Sequence, residues 1–197
     1  GLDKNATSVK GLSALGFGFI EVGTVTPIPQ FGNPKPRMFR VNEHQSIINR
    51  LGFNNNGLDA LIKTLSKLRN NKLNIPLGVN IGKNKDTPAS EAVNDYLICL
   101  DGVAPYADYI SINLSSPNTP HLRDLQFGEP LKKLLTAIAQ RRYELSVSLE
   151  KPIPLLVKVA PDMCREDLLN VADEIVRQNI DGIIATNTTI DRSVLNK

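Results

Sequence analysis

Residues 77–114, LGVNIGKNKDTPASEAVNDYLICLDGVAPYADYISINL, place a helical segment between two β-rich runs. The runs LGVNI (77–81) and YISINL (109–114) are apolar along most of their length, and residues 90–100 between them follow a helical period. Apolar strands separated by amphipathic helices are typical of parallel βαβ units, whose sheet is buried on both faces. This stretch therefore predicts a parallel sheet covered by helices.

The same strand-then-helix pattern extends to both sides. We predict further strands at residues 17–24, 153–160 and 182–186, and further helices at 7–15, 58–70, 131–149 and 166–178. The pattern fits either a doubly wound sheet or part of a (β/α)₈ barrel, but no GxGxxG motif opens a helix after the first strand. A full barrel takes about 250 residues. We therefore expect residues 1–197 to form part of one α/β domain, an incomplete (β/α)₈ TIM barrel of about five to six of the eight units.

Composition excludes several classes of protein. Of the 197 residues, 41% are hydrophobic and 22% are charged, which is ordinary for a globular chain. No apolar stretch approaches the roughly 20 residues of a membrane span. The net charge of +3 is spread along the chain, which argues against a dedicated nucleic-acid binder. Cys99 and Cys164 have no CxxC partner, so a structural zinc site or disulfide framework is not expected.

Polar side chains occur at the same end of every predicted strand. They are Thr24, Asn80, Asn113, Lys158 and Thr186. The carboxyl ends of parallel strands form the active face of barrels and of open α/β sheets. We therefore expect a functional site at this end of the sheet.

Lys158 is the most informative of these residues, because it interrupts an apolar strand on the face that also carries Leu156 and Ala160. A buried ammonium group without a partner is costly and tends to lose its proton. Lys158 thus predicts an anionic or strongly hydrogen-bonding ligand inside the barrel. The alternative is an internal ion pair, for which Glu21 is the candidate.

Two loops are rich in amides and hydroxyls, at residues 49–57 and 113–119. Residues 54–57 are also explained by a turn and a helix cap, and residues 113–119 by a Ser/Asn turn before a proline. Ser116 could act as a base only if its proton had somewhere to go, since a free hydroxyl is a weak base. His121 is near Ser116 in the sequence and is a minor rival, although an ordinary surface histidine is the simpler interpretation.

Six blocks of sequence, in the family's order, resemble dihydroorotate dehydrogenase. They are GLDK (1–4), GTVTP (23–27), INRLGFN (48–54), NIGKN (80–84), NLSSPNT (113–119) and ATNTT (185–189). The resemblance covers essentially the whole chain. Ser116 stands where the quinone-linked, membrane-associated class has its catalytic base and where the soluble class has Cys, so the resemblance is to the quinone-linked class.

This resemblance implies a (β/α)₈ barrel that binds FMN and oxidises (S)-dihydroorotate to orotate in de novo pyrimidine (UMP) biosynthesis. Ser116 would remove the C5 proton while hydride leaves C6 for flavin N5, and the electrons would pass to a quinone. Thr119 and Phe53 match residues that help the proton of the base to reach solvent.

The resemblance also assigns binding residues. FMN contacts fall at Gly1, Lys4, Thr24, Asn80, Asn113, Lys158 and Thr186. Substrate contacts fall at Lys4, Asn49, Arg50, Leu51, Gly52, Phe53, Asn113, Leu114, Ser115, Ser116, Pro117, Asn118, Asn187 and Thr188. No metal ligand is implied.

The family's helical region that reaches the membrane quinone and its loops that grip the FMN phosphate are expected outside residues 1–197. The resemblance implies a quinone partner in the membrane and no nucleic acid. It also implies a peripheral location, on the cytoplasmic face of the cell membrane in a bacterium or on the inner mitochondrial membrane in a eukaryote.

Two alternatives remain at this point. One is a related FMN barrel reductase such as a tRNA dihydrouridine synthase, against which stand Ser116 in place of Cys and the modest net charge. The other is an inactive fragment.

Overall fold

The computed structural model describes residues 2–70 and 73–196. The strands are β1 (Ile20–Val25), β2 (Met38–Val41), β3 (Ser46–Asn49), β4 (Leu77–Ile81), β5 (Tyr109–Asn113), β6 (Leu155–Val159) and β7 (Gly182–Ala185). The α-helices are α1 (Val9–Ala14), α2 (Leu58–Arg69), α3 (Ala92–Val103), α4 (Gly128–Ser148) and α5 (Arg165–Arg177).

Five of these strands form one parallel sheet in the order β1-β4-β5-β6-β7. An α-helix lies between each strand of this sheet and the next strand of the same sheet along the chain. Sheet order that follows chain order is the arrangement of a (β/α)₈ barrel, whereas the order reverses in a doubly wound sheet. The prediction of an incomplete TIM barrel is confirmed, and the described residues supply five of its units.

The antiparallel pair β2 and β3 was not predicted from the sequence. Each strand has four residues, and most of their side chains are exposed or half-buried. A short ribbon of this kind has no apolar run to signal it. It lies between β1 and α2 in the chain, in a region where the sequence indicated only a loop.

Two predicted strands begin later than expected. The first begins at Ile20 instead of residue 17, and the fourth begins at Leu155 instead of residue 153. In the first case the Ile20 amide bonds to the carbonyl of Pro76, directly before β4, so residues 17–19 extend past the start of the neighbouring strand. An apolar run can therefore be longer than its hydrogen-bonded ladder.

The two faces of the sheet differ in chemistry. Val22, Val79, Ile112 and Val157 lie on the face covered by the helices and are fully buried. Because successive side chains of a strand point to opposite faces, the residues that follow them point into the barrel. At the carboxyl ends three of these four inward positions carry polar side chains, those of Asn80, Asn113 and Lys158, and Asn113 pairs in register with Lys158.

Within the described ranges, none of the helices has the length and apolarity that crossing a membrane requires.

We expect Gly78→Ala to destabilise the fold by about 1–3 kcal/mol, the usual cost of overpacking. Gly78 pairs with Tyr109, and a Cβ at Gly78 would overlap the phenol ring of that residue. Urea unfolding measures the loss. Gly11→Ala in α1 is the control, because a Cβ there meets no described atom within 4 Å. Equal stability of Gly78→Ala and the unmodified protein would contradict this packing.

Candidate functional site

A cavity of about 200 Å³ opens at the carboxyl ends of the parallel strands. We call it the strand-end cavity. Its walls come from four of the five parallel strands and from loops near them. The lining residues are Lys4, Glu21, Gly23, Thr24, Asn49, Leu51, Gly52, Phe53, Asn80, Asn113, Ser116, Asn118, Lys158 and Asn187. Twelve of these fourteen were predicted as site residues from the sequence.

One wall of the cavity is a buried hydrogen-bond network of three side chains from adjacent strands. The Thr24 hydroxyl donates to Asn80 Oδ1 at 2.5 Å. Asn113 Nδ2 donates to both Thr24 Oγ1 and Asn80 Oδ1, each at 3.0 Å. A fully connected buried network of this kind fixes the orientation of its members. The amide edges of Asn80 and Asn113 are therefore held in place beside the cavity.

Lys158 enters the cavity from β6 and is half-buried. No carboxylate lies within ion-pair distance of it among the residues that the structure describes. The alternative of an ion pair with Glu21 is not observed, since Glu21 Oε1 instead accepts a hydrogen bond from Asn80 Nδ2 at 2.9 Å. Lys158 thus presents a cation to the cavity.

Lys4 is the second cation that lines the cavity. The preceding residue, Asp3, forms a bridge with Val22 of β1 and accepts a hydrogen bond from the Gly23 amide at 3.1 Å. This backbone attachment carries Lys4 to the end of the sheet. Burial, with a smaller contribution from the nearby charge of Arg37, lowers the pKa of Lys4. A bound anion would offset both effects.

Ser116 is 5% exposed and faces the cavity from the loop after β5. Its Oγ accepts a hydrogen bond from the Asn118 amide at 3.2 Å. The side chain of Asn118 donates in turn to Asn49 Oδ1, at 3.3 Å. The loop after β5 and the end of β3 thereby present a hydroxyl and two amides on the same side of the cavity.

Thr119 and Phe53 accompany Ser116 in different ways. Phe53 lines the cavity, whereas Thr119 is 4% exposed and lies outside the set of lining residues. In the described part of the chain, Thr119 Oγ1 has no hydrogen-bond partner. His121 is exposed on the surface, with Nδ1 3.0 Å from Asp124 Oδ2, in agreement with the surface interpretation.

Several predicted site residues do not line the cavity. They are Arg50, Leu114, Ser115, Pro117, Thr119, Thr186 and Thr188. The Arg50 guanidinium donates to the Pro36 carbonyl and lies over the Phe39 ring. Gly1, the remaining prediction, lies outside the described residues.

Ser115 does not line the cavity but binds two residues that do. Its hydroxyl donates to Asn113 Oδ1 at 2.8 Å and accepts from Asn187 Nδ2 at 3.0 Å. It therefore links the network of Asn113 to the loop after β7.

Sequence reasoning did not assign Glu21 and Gly23 to the site. Glu21 was considered only as an ion-pair partner of Lys158. The signal that identifies them is the period of two along β1, which places both on the inward face. Gly23 offers no side chain by which a binding role could be recognised.

Comparisons with known proteins agree on one family. The profile of the family described as dihydroorotate dehydrogenase matches residues 1–197. Two curated relatives, from Yersinia enterocolitica and Yersinia pseudotuberculosis, are named dihydroorotate dehydrogenase (quinone). Each is 56% identical over 195 residues, which cover 99% of this chain and 57% of the relative.

Solved structures of DHODH from Eimeria tenella are similar as well. The complex with ferulenol has a TM-score of 0.91 and the ligand-free form a TM-score of 0.90, both at 43% sequence identity. The matches cover 98% of this chain and 56% or 57% of the Eimeria chains. The chain thus spans a little over half the length of the relatives that it matches.

Proposed function

The chain belongs to the dihydroorotate dehydrogenase family. We propose that it is part of a quinone-linked enzyme that oxidises (S)-dihydroorotate to orotate in pyrimidine biosynthesis, with the strand-end cavity as the active site. The observation that carries the proposal is the placement of Ser116, two lysines and several asparagines around one cavity. These groups could bind a flat, anionic, amide-rich molecule and remove a proton from it.

Enzymes of this family depend on a flavin, and we propose that the flavin here is FMN. The residues present fit such a group, since Lys158 offers the cavity a cation that has no carboxylate partner in the described ranges. Asn80 and Asn113 would give it a fixed polar wall beside that cation, because their donors and acceptors are already paired within the protein. Bound FMN would supply the hydride acceptor. Lys158 would stabilise the negative charge that develops on its ring.

The substrate would occupy the part of the cavity near Lys4 and Ser116. Lys4 would bind the carboxylate, and Asn49, Asn118 and Asn187 would pair with the ring amide groups, because each amide side chain has both donors and an acceptor. A site that pairs every polar edge of its substrate rejects analogues that lack one of them.

Ser116 would remove the C5 proton while hydride departs from C6, which leaves the C5–C6 double bond of orotate. The serine hydroxyl is a weak base at its ordinary pKa, so the proton must be passed on. Thr119 Oγ1 is available for that step, since it is buried and has no hydrogen-bond partner among the described residues. Phe53 lines the cavity beside the reacting groups.

The quinone in the name of the curated relatives suggests the second electron acceptor. We propose that the enzyme passes its electrons to a membrane quinone and works at a membrane surface. We assign no quinone contact to the described residues.

Orotate binding should weaken as the pH rises through the lowered pKa of Lys4. Only protonated Lys4 attracts the carboxylate. A bound carboxylate raises the pKa of Lys4, so proton uptake accompanies binding in the interval between the free and bound values. Lys4→Met should cost about 1.5–3 kcal/mol of binding and abolish this pH dependence. Titration calorimetry at several pH values measures the affinity for orotate. Lys10→Met is the control, because Lys10 is exposed. An unchanged pH profile in Lys4→Met would contradict the assignment.

Anaerobic spectroscopy of the flavin-loaded enzyme tests the proposed function. Dihydroorotate should bleach the yellow flavin absorbance, orotate should form in equal amount, and an added quinone should restore the colour. Flavin that stays oxidised with excess dihydroorotate would contradict the proposal.

A further inference from the structure

Arg123 lies outside the strand-end cavity but binds three of the loops around it. It begins the short 3₁₀ helix Arg123–Gln126, and its side chain is 19% exposed. Nε donates to the Ser115 carbonyl at 3.0 Å, Nη1 to Asp162 Oδ2 at 2.9 Å, and Nη2 to the Thr188 carbonyl at 3.3 Å. One guanidinium therefore connects the loops after β5, β6 and β7.

Asp162 continues this connection. It follows β6, its side chain is 20% exposed, and it accepts a hydrogen bond from the Thr189 hydroxyl. The Ile190 amide donates to Asp162 Oδ2 at 3.1 Å. We call Arg123 and Asp162 the loop clamp.

The carboxylate of Asp162 is favoured in its ionised form. Burial opposes ionisation of Asp162, but the hydrogen bonds from Thr189 and Arg123 outweigh it and hold the pKa of Asp162 below its usual range. Exposed ion pairs contribute little to stability. This pair differs from an isolated one, because the planar fork of Arg123 makes three bonds at once.

The backbone atoms that the loop clamp holds are next to the proposed reacting groups. Ser115 precedes Ser116, and Thr188 follows Asn187. Asn187 Nδ2 also donates to Ser115 Oγ at 3.0 Å, so the two loops already meet at the cavity wall. The separation between Ser116 and Asn187 thus depends on groups that do not touch the cavity. A displacement of about 1 Å at a reacting group can cost on the order of 100-fold in rate.

We propose that Arg123 and Asp162 are positioning residues, which hold the loops of Ser116 and Asn187 at the separation that dihydroorotate binding and proton removal require. The kinetic part of this inference rests on the proposed function. The part that concerns the position of the loops does not depend on the proposed function.

The test compares Arg123→Lys and Asp162→Asn with Arg142→Lys in the flavin-loaded enzyme. Arg123→Lys keeps the charge but cannot reach three loops. Arg142 is a matched control on α4, since its guanidinium also binds an aspartate and a backbone carbonyl, those of Asp181 and Asn179, before β7 begins. We expect both clamp variants to lower kcat/KM for dihydroorotate by about 10- to 100-fold and to raise Kd for orotate. Flavin content and spectrum should stay unchanged.

Hydrogen–deuterium exchange gives a readout that does not need catalysis. In each clamp variant, amide exchange should increase together in residues 115–119 and 187–190, while Arg142→Lys leaves both segments unchanged. The double clamp variant should be no worse than the poorer single variant, because the two residues act as one unit.

Three results would overturn the inference. One is unchanged exchange in both segments. Another is that the clamp variants lose flavin and stability while their folded fraction binds orotate with normal affinity. That combination would show that the two residues have a purely structural role. The third is an equal effect of Arg142→Lys. If the unmodified enzyme neither binds orotate nor oxidises dihydroorotate, the proposed function fails, and exchange alone decides the role of the loop clamp.

Discussion

Ser116→Ala should lower kcat for dihydroorotate oxidation by about 10²- to 10⁴-fold, the range that a positioned general base contributes. The alanine cannot take the C5 proton. The cavity walls around it should be unchanged, because in the described part of the chain Ser116 Oγ takes part in a single hydrogen bond, which it accepts from the Asn118 amide. Flavin content should therefore stay the same. Stopped-flow measurement of flavin reduction isolates the affected step from the later transfer to quinone.

Ser148→Ala is the control for this variant, since Ser148 is exposed at the end of α4, which leads into the amino end of β6, whereas the cavity lies at the carboxyl ends of the strands. Its flavin reduction rate should equal that of the unmodified enzyme. Full turnover in Ser116→Ala would show that another group removes the proton.

Lys158→Met should slow flavin reduction by about 10²- to 10³-fold, as removal of one fixed electrostatic group typically does. Lys158 presents a cation to the cavity without a carboxylate partner in the described ranges, so nothing else there replaces its charge. Loss of that charge should also make the midpoint potential of the flavin more negative, because the reduced flavin carries more negative charge. A potentiometric titration measures the second effect independently of turnover.

Lys63→Met on the exposed face of α2 is the matched control, and it should leave both quantities unchanged. An unaltered reduction rate, potential and flavin affinity in Lys158→Met would remove Lys158 from the flavin site.

The parallel sheet could be predicted because each of its strands reads as an apolar run. Burial on both faces explains this for β4 and β5, whereas β7 at the edge of the described sheet is half-buried or exposed. All five strands were identified this way, with ends shifted by a few residues where the hydrogen-bonded neighbour begins or stops. The β2–β3 ribbon could not be predicted, since exposed or half-buried strands of four residues have no apolar run.

The location of the site was predictable for a similar reason. Polar residues that interrupt or end apolar strands are few, and topology brings the carboxyl ends of parallel strands together. The partners of these residues were less predictable. Glu21 was the candidate ion-pair partner of Lys158, but its carboxylate binds Asn80, which lies two strands away from β6 in the sheet.

The loop clamp shows what remains hidden from sequence alone. Arg123, Asp162 and Thr188 are far apart along the chain, and in the sequence Arg123 and Asp162 resemble ordinary polar loop residues. Only the three-dimensional path of the loops after β5, β6 and β7 brings them together.

The most direct test of the central claim is a crystal structure of the enzyme with FMN and orotate bound. The account predicts orotate in the strand-end cavity, with its carboxylate at Lys4, its ring amides at Asn49, Asn118 and Asn187, and C5 next to Ser116 Oγ. Orotate bound at another place, or with C5 directed away from Ser116, would contradict it.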